Sequence, residues 1–362
     1  MKIAILTQPL GRNYGGILQN YALQQTLIKL GLSPITLEKD YRQRISVLRL
    51  ILELPKRIYT KYILKKREYV FSEKKYNGIT FERKKLLPFV TKYINHNYIK
   101  DFSLEFFFEY DAIVVGSDQT WRPIYNWNVL DKMFLSFIPI ENKIKRIAYA
   151  ASFGASDWEF SDEQTAICKK SAQLFDAISV REDSGVLLCE KYLGCKATHV
   201  LDPTLLLEKE HYLKICENVP TQNKFLCAYI LDLNDDDRDQ LELIAYKNGL
   251  DLNIFSADDD CTLTTEQWLA MFRDAELIIT NSFHGTAFSI IFNKDFYSLT
   301  HPVRGGSRIP SLFRQLNIPQ ERMVTTISEV LNNTSILDWD TINDSIKQLQ
   351  QYSIEFLTKA FN

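Results

Sequence analysis

The sequence predicts an α/β protein of two lobes, each built on a parallel sheet. Three observations lead there. Short apolar runs without polar alternation recur along the chain, as strands covered on both faces require. Amphipathic helical stretches lie between many of them, which is the βα rhythm of a parallel sheet. The rhythm breaks at Asp202-Pro203 and restarts at Phe225. With 362 residues the chain has the length of two ordinary domains. Its 46% hydrophobic and 24% charged residues fit a globular class and exclude collagen-like, low-complexity and disulfide-dense ones.

Taken in order, residues 2–7 read as a strand and 18–30 as an amphipathic helix closed by Gly31, a helix-ending glycine. Strands follow at 35–37, 112–115, 146–150 and 177–180. A helix over 183–192 and a strand over 198–201 complete the first lobe. The second lobe reads as strand 225–231, helix 238–247, strand 252–255, helix 266–273, strand 277–280, helix 283–292 and strand 296–299. Ile342, Ile346, Leu349 and Phe356 mark a last amphipathic helix. These elements divide the chain into a first lobe over 1–203, a second over 204–335 and a terminal helix over 336–362 that returns to the first lobe. Ligands of open α/β sheets sit beyond the carboxyl ends of the strands, so the loops there are the candidate site.

The net charge of −2 gives no bias towards nucleic acid. It conceals an asymmetry: residues 41–100 hold 16 Lys/Arg against 4 Asp/Glu. Helical apolar spacing (Val47, Leu48, Leu50, Ile51, Leu54, Ile58, Tyr62, Ile63) marks 41–105 as a basic helical insert. It reads either as a solvated outer face or as a peripheral contact with an anionic membrane surface, the first being preferred on sequence alone. Six scattered cysteines without a CxxC pair, and five histidines without a metal spacing, give no metal site and no cofactor. There is no signal-peptide pattern and no run of 18 apolar residues, so the expected location is the cytoplasm.

Five loops carry polar chemistry. Asn13, Tyr14, Gly15, Gly16 and Gln19 form a turn that opens a helix, where paired glycines and free amides suit an anion or sugar oxygen; a tight βα turn accounts for them equally well. Asp118, Gln119, Trp121 and Arg122 follow a buried strand; Asp118 can position or deprotonate a hydroxyl, and Trp121 can offer its face to a sugar. The plain alternatives are a capped turn and a Trp packed between the lobes. Arg181, at a strand end, reads as an anion fork or as the partner of Glu182 or Asp202. Ser282, His284 and Gly285 open the helix after strand 277–280, which puts His284 near a helix start at the cleft; a lone histidine is more often structural, but this position and the arginines downstream favour a functional one. Arg304 and Arg308, set among Gly305 and Gly306, read as a second anion site or as a flexible basic loop.

The ordered set NYGGILQ, VGSDQTWRP, KRIAYAASFG, SVRED, HVLDPTLLL, ITNSFHGTAFSIIF and RGGSRI resembles the polysaccharide pyruvyl transferase family over residues 1–316. The resemblance implies a glycosyltransferase-B-like fold of two Rossmann-like lobes. It also implies transfer of pyruvate from phosphoenolpyruvate to a saccharide, forming a cyclic ketal. By position it assigns the family's histidine to His284, its strand-end arginine to Arg181 and its downstream basic residue to Arg304 or Arg308. Asp118 joins His284 as a catalytic candidate. Ser282 and Gly285 join the arginines at the donor. Asn13, Tyr14, Gly15, Gly16, Gln19, Gln119, Trp121 and Arg122 are left to the acceptor, a polysaccharide or its lipid-linked precursor. Two other functions compete: a glycosyltransferase with a nucleotide-sugar donor, and a saccharide-binding protein without catalysis.

Overall fold

The computed structural model describes residues 1–10, 13–39, 47–63, 83–255, 263–300 and 306–362. Arg304, Gly305, Cys261 and much of the basic insert lie outside the described residues.

Seven parallel strands make the first sheet: β1 Lys2–Leu6, β2 Ser33–Lys39, β3 His96–Ile99, β4 Ala112–Val115, β5 Lys145–Ala151, β6 Ala177–Val180 and β7 Thr198–His199. Their spatial order is β3-β2-β1-β4-β5-β6-β7. Five more make the second: β8 Phe225–Tyr229, β9 Asp251–Phe255, β10 Leu277–Thr280, β11 Asp295–Leu299 and β12 Met323–Val324, in the order β12-β11-β10-β8-β9. The central strands β4, β8 and β10 are buried at every residue, which is why they read as unbroken apolar runs. In each sheet the order reverses beside the first strand, between β1 and β4 and between β8 and β10. These are the two switch points at which open sheets bind ligands.

Helix α1, Tyr14–Lys29, starts four residues before the sequence places it. Asn13 caps it by accepting from the Gly16 amide, so Gly15 and Gly16 form its first turn rather than a loop. Helix α2 spans Val47–Ile58 and runs into a π-helical turn, Tyr59–Ile63. Helix α3, Arg83–Tyr93, and strand β3, paired in parallel with β2, belong to the lobe although their sequence falls in the basic insert. The helices that matter further on are α4 Thr265–Asp274, α5 Phe283–Ile291, α6 Arg308–Gln315 and α7 Trp339–Phe361.

One apolar core joins the lobes. Tyr14 of α1 stacks on Trp268 of α4 with centroids 5.4 Å apart and donates its hydroxyl to Leu263 O at 2.9 Å. Phe89 of α3, Phe288 of α5 and Leu357 of α7 lie in the same cluster. Helix α7 lies along the first lobe: Ser353 Oγ accepts from Leu201 N at 3.1 Å, Gln350 Nε2 donates to Leu205 O at 2.8 Å and Lys145 Nζ to Phe361 O at 3.0 Å.

Candidate active site

The two switch points meet. From the first lobe come the loop after β4, the start of α1, the end of β6 and Asp202 after β7. From the second come the start of α5 and the start of α6.

The loop after β4 turns sharply. Gly116 has φ +130°, and a Cβ there would sit 2.1 Å from Tyr149 O, so only glycine fits. Asp118 has φ +66°, a left-handed conformation that aspartate tolerates better than most residues. Its carbonyl accepts from Ser152 N at 3.0 Å and Thr120 N at 2.7 Å. Gln19 supports the loop from α1, its side-chain oxygen accepting from Ser117 N at 3.2 Å.

Asp118 and Arg181 then meet a residue that the sequence marked only as a chain breaker and a possible ion-pair partner. Asp202 Oδ2 accepts from Arg181 Nη1 at 2.8 Å and from Ser117 Oγ at 3.3 Å. Its Oδ1 accepts from the amide and hydroxyl of Thr204, at 3.0 and 2.8 Å. Arg181 Nη2 reaches Asp118 Oδ1 at 3.2 Å. From across the cleft His284 Nε2 faces Asp202 Oδ2 at 3.7 Å. That is an ion-pair distance but too long for a hydrogen bond, and Nε2 is buried without a hydrogen-bond partner. The other edge of the imidazole lies on Gly15: a Cβ there would fall 2.0 Å from His284 Nδ1. The glycine read as a turn former is therefore the surface on which the histidine rests.

Burial alone would raise the Asp202 carboxyl, but His284 and Arg181 outweigh it and hold the group far below the usual carboxylate range. Asp118 follows the same logic: burial opposes, and Arg181 with His284 and Arg308 holds it low. Burial pulls the Arg181 guanidinium down while Asp202 and Asp118 lift it further, leaving it firmly charged.

Arg308 is less well supported: Asp118 and Glu182 favour its charge, but burial and Arg181 outweigh them. It is the first residue of α6, where the helix dipole disfavours a cation. Its Nε is buried without a partner. Burial, then the neighbouring Arg181, draws its pKa down to about 10. Both guanidiniums flank the Phe283 ring, Arg181 at 4.5 Å and Arg308 at 5.7 Å from the centroid. Ser311 and Arg314 dock α6 on the first lobe, Ser311 Oγ accepting from Asp183 N at 2.9 Å and Arg314 Nε donating to Asp183 Oδ2 at 3.0 Å.

Other expected site residues are placed differently. Trp121 cannot face a sugar: it is fully buried, stacked 4.5 Å from Phe134, with its Nε1 donating to Met133 O at 3.0 Å. Tyr14 is spent on the lobe interface. Arg122 forks onto Glu159 at 3.0 Å through Nε and Nη2, and its Nη1 donates to Gln119 Oε1 at 3.1 Å. Asn13 and Ser282 act as helix caps, Ser282 accepting from Gly285 N at 3.3 Å. The structure thus brings Asp118, Arg181, His284, Arg308 and Gly15 together, adds Asp202 and Ser117, and removes Trp121. Among the described residues no group of three or more His, Cys, Asp or Glu is placed to share a metal ion.

The family model for polysaccharide pyruvyl transferase matches residues 13–302. Solved structures similar over the whole chain include UDP-N-acetylglucosamine 2-epimerase from Rickettsia bellii, at 9% identity and TM-score 0.50, covering 99% of this chain and 96% of that one. Another is Arabidopsis thaliana UGT89C1 complexed with UDP-L-rhamnose, at 9% identity and TM-score 0.49, covering 98% and 97%. A third is the Methanocaldococcus jannaschii UDP-GlcNAc 2-epimerase, at 12% identity and TM-score 0.44, covering 97% and 93%. At such identities the likeness concerns the fold, which is of the glycosyltransferase-B type. No curated protein sequence matches the chain.

Proposed function

The chain belongs to the polysaccharide pyruvyl transferase family, and we propose that it moves pyruvate from phosphoenolpyruvate to two hydroxyls of a saccharide, or of its lipid-linked precursor, closing a cyclic ketal. The observation that carries this reading is Arg308. A guanidinium disfavoured by burial, by Arg181 and by its place on a helix is stabilised by an anion. Phosphoenolpyruvate brings two, a phosphate and a carboxylate.

The geometry supports a role for each residue. Asp118 and Asp202 are both engaged by Arg181, so among the described residues Arg308 is the cation left for the donor, with Arg181 across the Phe283 ring from it. His284, with Nε2 unpartnered, is the general acid that protonates C3 of the donor. Positive charge then develops at C2, and a sugar hydroxyl attacks there. Phosphate leaves, and the second hydroxyl closes the ring. Of the two hydroxyl protons released, one balances the proton now on C3 and the other leaves with phosphate. Asp118 is ionised but its depressed pKa makes it a weak base, so it serves to orient the attacking hydroxyl and to offset charge at C2. These steps need no metal or cofactor.

Calorimetry of phosphoenolpyruvate beside a panel of nucleotide sugars, on the wild type and Arg308→Ala, tests the proposal. Selective binding of phosphoenolpyruvate that is lost in the variant supports it. Selective binding of a nucleotide sugar would favour a glycosyltransferase instead.

A further inference from the structure

Helix α2 and the turn after it carry an apolar face that the rest of the described chain leaves uncovered. Ile51, Leu52, Ile58, Tyr59, Tyr62 and Ile63 are each between 42% and 71% exposed. They fall in adjacent pairs seven and then four residues apart, a spacing that returns to one side of a helix. Six large apolar side chains on one stripe are more than a soluble surface scatters at random.

The residues between them in the sequence are of another kind. Arg49, Lys56, Arg57 and Lys61 stand against Glu53 alone within 47–63, and residues 41–100 carry a net charge of +12. Exposed isoleucine, leucine and tyrosine on one stripe, with lysine and arginine between them in the sequence, is the pattern of a helix that lies in a lipid interface. Its basic side matches anionic headgroups, whereas no described feature matches a particular protein partner. Among the described residues no helix is long and apolar enough to cross a membrane, so the contact is a surface one.

We propose that α2 and its following turn form a docking element for anionic lipid, with the Ile51–Ile63 stripe inserted among the headgroups and the surrounding basic residues over them. Its place in the fold gives the contact a use. The segment leaves the first sheet after Lys39, at the carboxyl end of β2, which is the edge that carries Asp118, Arg181 and the start of α1. Glu38 ties that strand end to the loop after β1, its Oε2 accepting from Leu10 N at 3.0 Å. Docking there would hold the cleft at the lipid surface where a lipid-linked saccharide is found; this consequence, though not the docking itself, rests on the proposed function.

The test is sedimentation of the full chain with phosphatidylcholine vesicles and with phosphatidylcholine–phosphatidylglycerol vesicles, without phosphoenolpyruvate or acceptor. The anionic vesicles should bind at least about tenfold more tightly, and less so as salt rises. The triple variant Ile51→Ser, Leu52→Ser, Ile63→Ser should lose that binding while keeping its far-UV circular dichroism and its thermal melting. Equal binding to both vesicle types, no binding to either, or full binding by the variant would each overturn the proposal. So would light scattering that finds a dimer in the wild type and a monomer in the variant, since a second copy would then cover the stripe. Because no donor or acceptor is present, failure here leaves the pyruvyl transfer reading to its own experiment.

Discussion

Replacing Asp202 by Asn tests whether one carboxylate organises the site. The change keeps the volume and an acceptor for Thr204 but removes the charge that Arg181 meets at 2.8 Å. The Arg181 side chain is only 1% exposed and that of Asp202 is fully enclosed, so solvent cannot replace the lost partner. Removing one member of a buried pair costs about 3–5 kcal/mol. Arg181 retains Asp118 at 3.2 Å, which puts the expected loss near the lower end, about 3 kcal/mol. The pH dependence supplies a second reading. The folded-state pKa of Asp202 is depressed, so its stabilisation is complete above the unfolded value of about 3.9 and is withdrawn as pH falls. Below that pH the gap between wild type and Asp202→Asn should narrow by up to about 1.4 kcal/mol per pH unit. Urea unfolding followed by tryptophan fluorescence, repeated from neutral pH down to the acid limit of the folded state, measures both. A gap under about 1 kcal/mol, or one that does not change with pH, would refute the assignment of Asp202 as the ionised partner of Arg181.

Three further outcomes are expected. His284→Ala should lower turnover by about 10²–10⁴-fold, the usual range for a general acid, and change phosphoenolpyruvate affinity far less; phosphate release with any supporting acceptor, read beside calorimetry, separates the two. Gly15→Ala puts a methyl 2.0 Å from His284 Nδ1 and displaces the ring, so activity should fall by roughly 10²-fold while the helix itself gains from alanine; a fully active variant would mean that His284 does not work from this position. Arg308→Ala should lose about 10–100-fold in donor affinity, yet the ligand-free protein should be at least as stable, because it sheds a disfavoured cation. A thermal melt showing a clearly less stable ligand-free variant would contradict the isolation of Arg308.

The sheets were legible because their central strands are buried on both faces, as 112–115 and 277–280 show. Strands β3 and β12 were missed, since His96–Ile99 and Met323–Val324 are short edge strands without such a run. His284 and Arg181 stand at the end or start of an element, where open sheets hold ligands, and the structure brings both to Asp202 at the cleft. Asp202 was read mainly as punctuation: Asp before Pro is a common turn, and only packing brings it to Arg181 and His284. The one available signal was that Asp202, like Asp118 and Arg181, follows a strand of the first sheet. Trp121 failed in the opposite way, its polar neighbours suggesting a ligand face while Phe134 stacks on the ring, Phe153 and Phe175 pack around it and none of it is exposed. Gly15 shows a third limit, since its contact with His284 spans the two lobes and no local pattern records it.

The contact between Gly15 and His284 makes shape and reactivity inseparable. His284, the proton donor of the proposed reaction, belongs to one lobe, while the carboxylate it faces and the helix start it rests on belong to the other. Any movement that parts the lobes takes the imidazole away from Asp202 and Gly15 and so takes the proposed acid out of its site. In the proposed reaction, phosphoenolpyruvate held in the parted state would be safe from premature protonation, and therefore from loss to water. Closure would act as the trigger, and a saccharide that failed to permit it would leave the donor unspent.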